Sequence, residues 1–557
     1  MADIRAIANG NWSNPAIWNT GVLPTSTSIV RPNNFTVTID VNVNVTEIRN
    51  DAGGGAVANG GFVVNDGVSV TTTNGFFLAG TTTLLTYNGT TSIILNGQLN
   101  SIISSVVFCL NNTNIGLVTI NGNLNQAGGS SGRVVRNSST GTVTVIGNIT
   151  GSVAGSVVDN VSTGTINVTG NISSGTTTGI NNLSSGTIVV NGNLTSSGTI
   201  LIINTSGTVT VTGNSTCNAV GTSSGRCITN DSGTITVIGD IITSSAGNNQ
   251  GHINILNSGS GTVNITGTVF GAGATGNVSN RCIQNSLNGT INITGVVNGI
   301  TVVGTAASAL VGVATIFNGG TGTINVTGTV NNGVFTNTLQ TFSTIFNQGG
   351  TVNINGNVQG GDSISINNYT NTSTTTINGN VIGGGTRVSV INFVNGTVNL
   401  NGNAIGGTSF FAIEGVNSAG NTIIEKAIYS NLGQSPITGY IKFKTTNPEI
   451  DVLRTDNVIV TLRDPLNVSG LLPLISDVRS GTTYNSGSST GTLAIPAANL
   501  VQLGVPVDNT VGTGNLTPAD FWNYLISNGF ATSSIGERLK NASTVDTTGA
   551  QIAGFII

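Results

Sequence analysis

Charged residues are scarce in this chain. Only 6 % of its 557 residues are Asp, Glu, Lys or Arg, against about 25 % in an average soluble protein. The net charge is −4, and no Lys occurs before Lys426. Nucleic-acid binding needs clustered cations that displace counterions, so the composition argues against it. Disorder usually combines low hydrophobicity with high net charge, whereas 37 % of these residues are hydrophobic, which predicts a large folded core.

Two kinds of targeting segment and one kind of site are also missing. No run approaches the roughly 18 apolar residues of a membrane-spanning helix. The start, MADIRAIANGNWS, lacks the apolar region of a secretory signal peptide, so no such signal is predicted. The single histidine, His252, excludes a His-rich metal site and disfavours a Ser/His/Asp triad. We expect His252 to lie at the surface.

Cysteines are few, and they form no CxxC motif and no paired spacing. Two of them, Cys227 and Cys282, stand three residues before an Asn in matching repeats. This position favours a buried row in which Cys acts as a small hydrophobe. We therefore expect core packing, and neither redox nor metal chemistry, from Cys109, Cys217, Cys227 and Cys282.

What the chain does contain is one phrase repeated many times, G-T-[VI]-x-[VI]-x-G-[NTD]-[VIL]. The steps between successive copies run from 21 to 33 residues, although the phrase itself hardly changes. Such a pattern indicates that one part of each repeat is held in register while a connection varies. The second Gly of the phrase is Gly97, Gly122, Gly147, Gly170, Gly192, Gly213, Gly239, Gly267, Gly295, Gly328, Gly356, Gly379 and Gly402.

Apolar residues alternate with Thr and Asn inside the phrase. Period two with β-branched residues is typical of a half-buried strand. The Gly that follows predicts a corner, because Gly takes a positive φ without steric penalty. The predicted inward residues include Ile166, Val168, Val209, Val211, Ile235, Val237, Ile291 and Ile293 before the glycines, and Leu124, Ile149, Ile172, Leu194, Ile241, Val269, Val358 and Val381 after them.

An Asn precedes the first Gly of the phrase by three or four residues, after a short apolar pair. Asn bonds neighbouring backbone at turns, and stacked amides can form ladders between coils. The predicted ladder contains Asn137, Asn160, Asn204, Asn230, Asn257, Asn285, Asn318, Asn347 and Asn392.

These features together predict an all-β fold, a single-chain parallel β-helix (β-solenoid) of at least thirteen coils with three short strands each. At roughly 4.8 Å per coil, the rod would be on the order of 60–80 Å long. Charges are rare because each coil covers its neighbours and the inward rows cannot hold one. The alternative, a β-propeller, needs four strands per unit and a more uniform period.

Solenoids need caps over their open ends. Near the start, NGNWSNPAIWNTGVLP places Trp12 and Trp18 where a lid over the first coil is expected. Near the end, TPADFWNYLISNG predicts a helix with Thr517 as N-cap and Pro518 at its first position. SSIGERLKNAS predicts a second short helix.

Charge density places the strongest domain boundary. Residues 52–409 carry ten charges, whereas residues 410–557 carry nineteen, including every Lys. The predicted domains are an N-terminal cap with the first strands (1–50), the β-helix repeats (51–409), a C-terminal β-rich domain (410–515) and a helical tail for attachment or oligomerisation (516–557).

Catalytic carboxylates are the chemistry that β-helices most often carry, and polysaccharide cleavage needs them clustered on one face. Only Asp231 and Asp240 share a coil, and both occupy turn positions. No motif marks the C-terminal acids Glu425, Glu449 and Asp451. The sequence predicts no enzyme and no catalytic, cofactor-binding or metal-binding residue. The acids of the repeat region are Asp66, Asp159, Asp231, Asp240 and Asp362.

Two outward rows invite a binding interpretation. Arg133, Arg226 and Arg281 each lie four residues before a ladder Asn and share a line, but the coils between them lack an Arg. A flat Thr array can bind ice, yet here the neighbouring column mixes Thr, Asn and Val and the coil lengths vary. Thr is also a good strand residue with a wet face. The Thr row contains Thr142, Thr165, Thr187, Thr208, Thr234, Thr262, Thr290, Thr323 and Thr351.

Both ends of the chain resemble a known class of protein. GNWSNPAIWNTGVLP followed by TVTID resembles the start of right-handed β-helix proteins of bacterial surfaces and bacteriophage particles. TGYIKFKTTNPEI, LPLISDVRSGTTYNSGSSTGTLAIP and LTPADFWNYL with SIGERLKNAS are similar to segments of phage fibres and appendages. The resemblance implies a homotrimer that joins other virion proteins at one end and meets the host surface, including its glycans, at the other.

The sequence thus predicts a non-enzymatic structural component of a phage virion, a β-helical tail fibre or appendage for host attachment, located in the particle. It predicts no cofactor, no nucleic-acid partner and no membrane insertion. Two alternatives stay open: a bacterial surface adhesin or filament protein, and a polysaccharide-degrading tailspike. The scarcity of acids along the helix argues against the tailspike.

Overall fold

The structure is a computed structural model of the whole chain. It describes residues 1–50, 60–78, 85–87, 90–101, 108–126, 133–151, 155–175, 178–218, 225–243, 252–271, 273–275, 281–299, 301–303, 314–333, 343–360, 364–370, 372–383, 390–393, 397–402, 404–405, 413–416, 421–424, 427–429, 439–443, 450–454, 460–461, 476, 478–484, 489–494, 497, 506–507 and 510–511.

The first unit, Met1–Arg463, contains a parallel β-solenoid. From Ser92 onward, each coil contributes one strand to each of three sheets. Sheet 1 consists of Gly10–Asn11, Thr36–Ile39, Gly61–Val64, Leu85–Tyr87, Phe108–Asn112, Arg133–Asn137, Val158–Asn160, Thr178–Asn182, Ile200–Asn204, Arg226–Asn230, Ile253–Asn257, Arg281–Asn285, Ala314–Asn318, Ser343–Asn347, Ile364–Asn368, Val390–Phe393 and Ile413–Val416. Sheet 2 consists of Ser92–Asn96, Leu117–Asn121, Thr142–Ile146, Thr165–Thr169, Thr187–Asn191, Thr208–Thr212, Thr234–Ile238, Thr262–Thr266, Thr290–Thr294, Thr323–Thr327, Thr351–Asn355, Thr374–Ile377, Thr397–Leu400 and Asn421–Ile424. Sheet 3 consists of Leu99–Ser101, Leu124–Gln126, Ile149–Gly151, Ile172–Ser174, Leu194–Ser196, Ser215–Cys217, Ile241–Thr243, Val269–Phe270, Val297–Asn298, Val330–Asn331, Val358–Gln359, Val381–Ile382, Ala404–Ile405 and Ala427–Tyr429.

Strands within each sheet pair in register, so that equivalent residues of successive coils lie side by side. Val143 pairs with Ile166, and Ile166 pairs with Ile188. All the inward residues predicted from the alternation are buried. Because period two sends alternate side chains to opposite faces, the Val and Ile columns fill the interior and the Thr and Asn columns face outward. The predicted β-solenoid is confirmed.

Each of the thirteen predicted glycines lies at the corner between a strand of sheet 2 and a strand of sheet 3. At Gly213 the φ angle is +146°, a conformation that favours Gly. Gly122 has no such φ, yet a Cβ there would collide with the carbonyl oxygen of Gly97 in the preceding coil. Close stacking of one corner on the next therefore requires Gly as much as the backbone angle does.

From Asn137 to Asn347 the predicted Asn ladder lies buried at the end of the sheet 1 strands; the Asn392 side chain lies outside the described part of the chain. Asn204 Nδ2 donates to Asn230 Oδ1 at 3.0 Å, and Asn230 Nδ2 donates to Asn257 Oδ1 at 3.1 Å. Asn230 Nδ2 also donates to the carbonyl oxygen of Gly233 at 2.9 Å, which closes the turn into sheet 2. Each amide thus stabilises its own turn and the next coil.

The ladder has members that the sequence pattern missed. Asn112, Asn182 and Asn368 pair in register with the predicted residues. Side-chain bonds join Asn182 through to Asn285 without a break. The Oδ1 atoms of Asn160, Asn182 and Asn318 are buried without a partner, so the chain of amide bonds is interrupted between each of these residues and the Asn of the preceding coil.

The N-terminal region belongs to the same stack, but its coils have two strands each. Ala2–Arg5, Ser28–Arg31, Val43–Arg49 and Ser69–Leu78 stack in parallel. Ser69–Leu78 then pairs with both Ser92–Asn96 and Leu99–Ser101, so sheets 2 and 3 separate at this point. The single-turn 3-10 helix Pro15–Ile17 is capped by the Asn14 side chain.

Both tryptophans of this region are buried, as a lid requires. Their ring centroids lie 5.0 Å apart in an edge-to-face arrangement, and the ring centroids of Trp12 and Phe62 lie 6.0 Å apart. Trp18 Nε1 donates to the Trp12 carbonyl oxygen at 3.0 Å, which satisfies the indole N–H inside the core.

Parallel pairing continues one coil beyond residue 409, through Ile413–Val416, Asn421–Ile424 and Ala427–Tyr429. Antiparallel pairing then begins: Val460–Thr461 pairs with Ala427–Tyr429, and Gly439–Phe443 pairs with Ile450–Arg454. A short parallel pair, Gly273–Thr275 with Thr301–Val303, lies between coils.

The second unit, Asp464–Ile557, contains the hairpins Thr483–Tyr484 with Ser489–Thr490 and Pro506–Val507 with Thr510–Val511. The predicted tail helices, with Thr517 and Pro518, lie outside the described residues. The predicted domain boundaries stay predictions.

We expect Asn230→Ala to lower the free energy of unfolding by about 1–3 kcal/mol, because it removes the buried amide bonds to Asn204 and Asn257 and leaves Asn257 Oδ1 without its donor. Chemical denaturation followed by circular dichroism measures the change. Asn125→Ala, at an exposed position on sheet 3, is the matched control and should change little. Equal midpoints for both variants would contradict a stabilising ladder.

Candidate interaction surfaces

The acids of the repeat region are held by structural partners. The Asp66 carboxylate accepts hydrogen bonds from the Tyr87 hydroxyl at 2.5 Å and from the backbone N–H groups of Thr90 and Thr91 at 3.1 and 3.0 Å. The Tyr87 hydrogen bond is the main cause that lowers the pKa of Asp66. Burial raises the pKa of Tyr87, and Asp66 raises it further. This pair closes a turn and offers no proton donor near neutral pH.

Asp231 and Asp240, the two acids that share a coil, do not meet. They lie at opposite ends of the five-residue strand Thr234–Ile238, which spans about 16 Å. Asp240 Oδ1 accepts the backbone N–H of Thr268 in the next coil at 2.8 Å. The Asn residues at this corner make the same contact, as Asn214 does with Asp240 N at 2.9 Å, so the interpretation of Asp240 as a turn residue is confirmed.

A buried ionic cluster on sheet 1 was not evident from the sequence. Asp159 is fully buried, and its Oδ2 lies 2.7 Å from Arg133 Nε and 3.7 Å from Arg136 Nε. Asn181 Nδ2 donates to its other oxygen at 2.9 Å. Burial raises the pKa of Asp159, while the two arginines act to lower it. Its two oxygens thus face two arginines and an amide, whereas a catalytic acid pair has a second carboxylate beside the first.

The remaining candidate acids lie elsewhere. Asp362, Glu425 and Glu449 lie outside the described residues. Asp451 lies in the hairpin strand Ile450–Arg454. In the parts of the chain that the structure describes, no three or more His, Cys, Asp or Glu side chains form a group that could hold a metal ion.

The prediction that His252 lies at the surface is wrong. Only 1 % of the residue is exposed, and Nδ1 accepts the backbone N–H of Gly225 at 3.1 Å. Burial lowers the pKa of His252, which favours the neutral ring. His252 immediately precedes the strand Ile253–Asn257, and the position of that strand within its coil, not the residue type, determines its burial.

The predicted alignment of arginines is confirmed by the strand register. Arg226, Ile253 and Arg281 occupy one column on sheet 1, and Arg133 begins its own strand in the same way. Apolar or neutral residues separate them, so the column is not a continuous basic stripe.

Arg281 instead packs on an aromatic stack. Its guanidinium lies 3.5 Å from the Phe317 ring centroid, and the Phe317 ring stacks on the Phe346 ring with centroids 5.6 Å apart. The ring of Tyr369, a residue that is 44 % exposed, packs on Phe346 from a centroid distance of 5.6 Å. Burial lowers the pKa of Arg281 to about 10, which leaves it charged at neutral pH. The repeated TIFN of adjacent sheet 1 strands was the available sequence signal for this stack.

The buried thiols link sheet 1 to sheet 3 inside the core. Cys227 Sγ contacts the Ile242 carbonyl oxygen at 3.7 Å, and Cys282 Sγ contacts the Asn298 carbonyl oxygen at 3.6 Å. Thr344 Oγ1 and Ser365 Oγ occupy the same strand position and contact the carbonyl oxygens of Gln359 and Ile382 at 3.4 and 2.6 Å. All four cysteines are buried, and none forms a disulfide. The prediction that they pack in the core is confirmed, with a weak donor role added.

Sheet 2 presents an uncharged outer face, defined by the first, third and fifth residues of its strands. The predicted Thr row pairs in register from Thr142 onward, so the variable coil length does not disturb it. The second column contains Ile94, Thr119, Thr144, Asn167, Val189, Thr210, Thr236, Asn264, Asn292, Asn325, Asn353, Thr376 and Asn399, and the third contains Asn96, Asn121, Ile146, Thr169, Asn191, Thr212, Ile238, Thr266, Thr294, Thr327 and Asn355.

Amides within this face bond to one another along the solenoid axis. Asn292 Nδ2 donates to Asn264 Oδ1 at 2.8 Å, and Asn353 Nδ2 donates to Asn325 Oδ1 at 2.9 Å. Large apolar side chains interrupt the polar columns, and Ile146 is 51 % exposed. The face is therefore flat, free of charge and partly apolar.

Comparisons with family models, with curated proteins and with solved structures found no match. Within the described residues, no helix has both the length and the apolar character needed to span a bilayer.

We expect none of the four native thiols to react with a maleimide at neutral pH in the folded chain, and all four to react after denaturation. Burial raises the pKa of Cys109 and Cys282 to about 12 from an ordinary 9.0, so the reactive thiolate is absent. Mass spectrometry counts the labels.

The variant Asn125→Cys, at an exposed position on sheet 3, is the control and should label rapidly. The stability contributed by the buried thiols is complete below pH 9 and is lost as the pH rises towards 12, since unfolding then releases protons. Full labelling of any native cysteine in the folded chain at neutral pH would contradict this burial.

Proposed function

We propose that this chain is a non-enzymatic structural rod of a bacteriophage particle, a tail fibre or other appendage that takes part in attachment to the host surface. The observation that carries the proposal is the in-register solenoid, in which parallel strands repeat from coil to coil over most of Met1–Arg463. Such stacking gives a long stiff element, because each coil is hydrogen-bonded to both neighbours along its whole length.

The chemistry of the described acids supports a structural role. Asp66 closes a turn with Tyr87, Asp159 is enclosed by two arginines, and Asp240 replaces an Asn at a corner. Each of these three carboxylates stabilises the fold through its hydrogen bonds or ion pairs. None of the three contacts a second carboxylate, which glycosidic cleavage would require. This favours the rod over the alternative of a polysaccharide-degrading tailspike.

The particle context comes from the resemblance of the two ends to phage fibres and appendages. On that basis we assign the chain to the virion, with other virion proteins, a homotrimer of itself and host-surface glycans as partners. A bacterial surface adhesin is the other context in which such a rod would be useful. The place where the protein accumulates separates the two.

We expect antibodies against the purified chain to label intact phage particles on an appendage. We also expect mass spectrometry of purified particles to detect the chain. The isolated protein should be an elongated oligomer that keeps its circular dichroism on heating, because most of its apolar side chains are buried between coils. Negative-stain electron microscopy and sedimentation measure its shape.

Incubation with host capsule or lipopolysaccharide provides the enzymatic control, and the glycan chain length should stay unchanged. Shortened glycan chains would contradict the proposal of a non-enzymatic rod and would identify the protein as a polysaccharide-degrading tailspike. A chain found only on the producing cell surface, and never in particles, would overturn the virion assignment in favour of the adhesin.

A further inference from the structure

We propose that the outer face of sheet 2 is the surface on which a second copy of this chain docks. The inference rests on the proposed assembly into a homo-oligomer and identifies the face that forms the contact. In a pair of rods the two faces would meet, and in a trimer the three faces would surround the common axis. The other long outer face, that of sheet 1, carries the Arg133–Asp159 pair and the Arg281 aromatic stack.

Composition is the first argument. The strands from Ser92–Asn96 to Thr374–Ile377 contain no Asp, Glu, Lys or Arg and no aromatic residue. Depletion of charge marks the centre of protein interfaces. In-register stacking disfavours like charges in one column, yet the strands of sheet 1 carry single charges such as Arg133, Arg226 and Arg281. Stacking alone therefore does not account for the complete absence of charge from these sheet 2 strands, since isolated charges on a solvated strand favour solubility.

Exposed apolar side chains are the second argument. Ile94, Leu117, Ile146 and Ile238 all lie on this face and are large hydrophobic residues whose side chains are exposed. Ile146 and Ile238 occupy the same column, and they are 51 % and 49 % exposed, respectively. Docking of a second copy would remove these side chains from water, which is favourable in proportion to the apolar area buried.

The state of the amides is the third argument. Burying a polar group is unfavourable unless it is hydrogen-bonded. The amides from Asn264 to Asn353 already bond to one another at 2.8–2.9 Å along the axis. A partner can therefore cover this column without leaving those amide bonds unmade. An ice-binding face would instead need these groups free for water, and a sugar-binding face would usually offer an aromatic platform.

The size of the face fits a stable interface. About a dozen strands at roughly 4.8 Å, each five residues at about 3.3 Å, give a footprint on the order of 900 Å². A standard interface buries about 800 Å² on each partner. Because the strands are in register, the same side-chain positions repeat from coil to coil along the face, so one rod can contact another along many coils.

The test places like charges on the face. Thr210→Lys with Thr236→Lys adds two cations on adjacent coils of the second column, where these residues pair in register. Thr195→Lys with Thr216→Lys adds the same charges on adjacent coils of sheet 3, where these residues pair in the same way, and serves as the matched control. Light scattering after size-exclusion chromatography measures the oligomeric state of the full chain, and circular dichroism confirms that each variant is folded.

We expect the wild type and the sheet 3 control to be oligomers, and the sheet 2 variant to dissociate to monomers with a dissociation constant raised at least about 100-fold, the effect of desolvated like charges at an interface. Thr210→Glu with Thr236→Glu should also give monomers. Mixing the Lys and Glu variants should restore the oligomer, because opposite charges then meet across the interface.

An oligomer unchanged by the sheet 2 substitutions would overturn the inference, as would a wild type that stays monomeric at every concentration. A monomeric wild type that shapes ice crystals would assign the face to ice instead. If phage particles contain the chain but the sheet 2 substitutions do not change its oligomeric state, the docking-face inference is wrong and the virion assignment stands. Loss of the oligomer in a chain that never enters particles would overturn the virion assignment and leave the docking face standing.

Discussion

Hydrogen bonding between equivalent strands of successive coils is the constraint on which this molecule depends. Parallel strands about 4.8 Å apart bring the same position of every repeat into contact with itself. A side chain at such a position must therefore pack well against its own kind. Val and Ile do so in the interior, Asn does so by bonding amide to amide, and Gly does so where one corner carbonyl nearly touches the next Cα. Charged residues cannot, because like charges would stack, and their scarcity follows directly.

The same constraint separates the parts of a coil that cannot vary from the part that can. The strand of sheet 2, the glycine corner and the first residue of sheet 3 keep a fixed spacing, whereas the connection from sheet 3 to the next strand of sheet 1 absorbs most of the variation in repeat length. The Thr row stays in register for this reason. Variable spacing in the sequence had argued against an ordered array on this face, but the variation enters at a different corner and leaves the array intact.

The chemistry of the surface follows from where the few charged residues lie. Asp66 and Asp240 close turns, Asp159 pairs with arginines, and Arg281 packs on an aromatic ring. These charged groups lie on the outer face of sheet 1 and at the turns. The strands of sheets 2 and 3 carry no charge, and those of sheet 2 are longer and expose Ile side chains such as Ile146 and Ile238. Strand length and exposed apolar side chains together favour sheet 2 for contact between rods.

Local pattern was sufficient for the repeat, the inward residues, the corners and most of the amide ladder, because each depends on spacing within one coil. Asn112, Asn182 and Asn368 escaped the pattern since their flanking residues differ, although their register is the same. The burial of His252, the Arg133–Asp159 pair and the stack of Arg281 on Phe317 depend on neighbours more than 20 residues away in sequence. Which coil lies beside which is set by backbone pairing in three dimensions, so only the tertiary structure could decide these contacts.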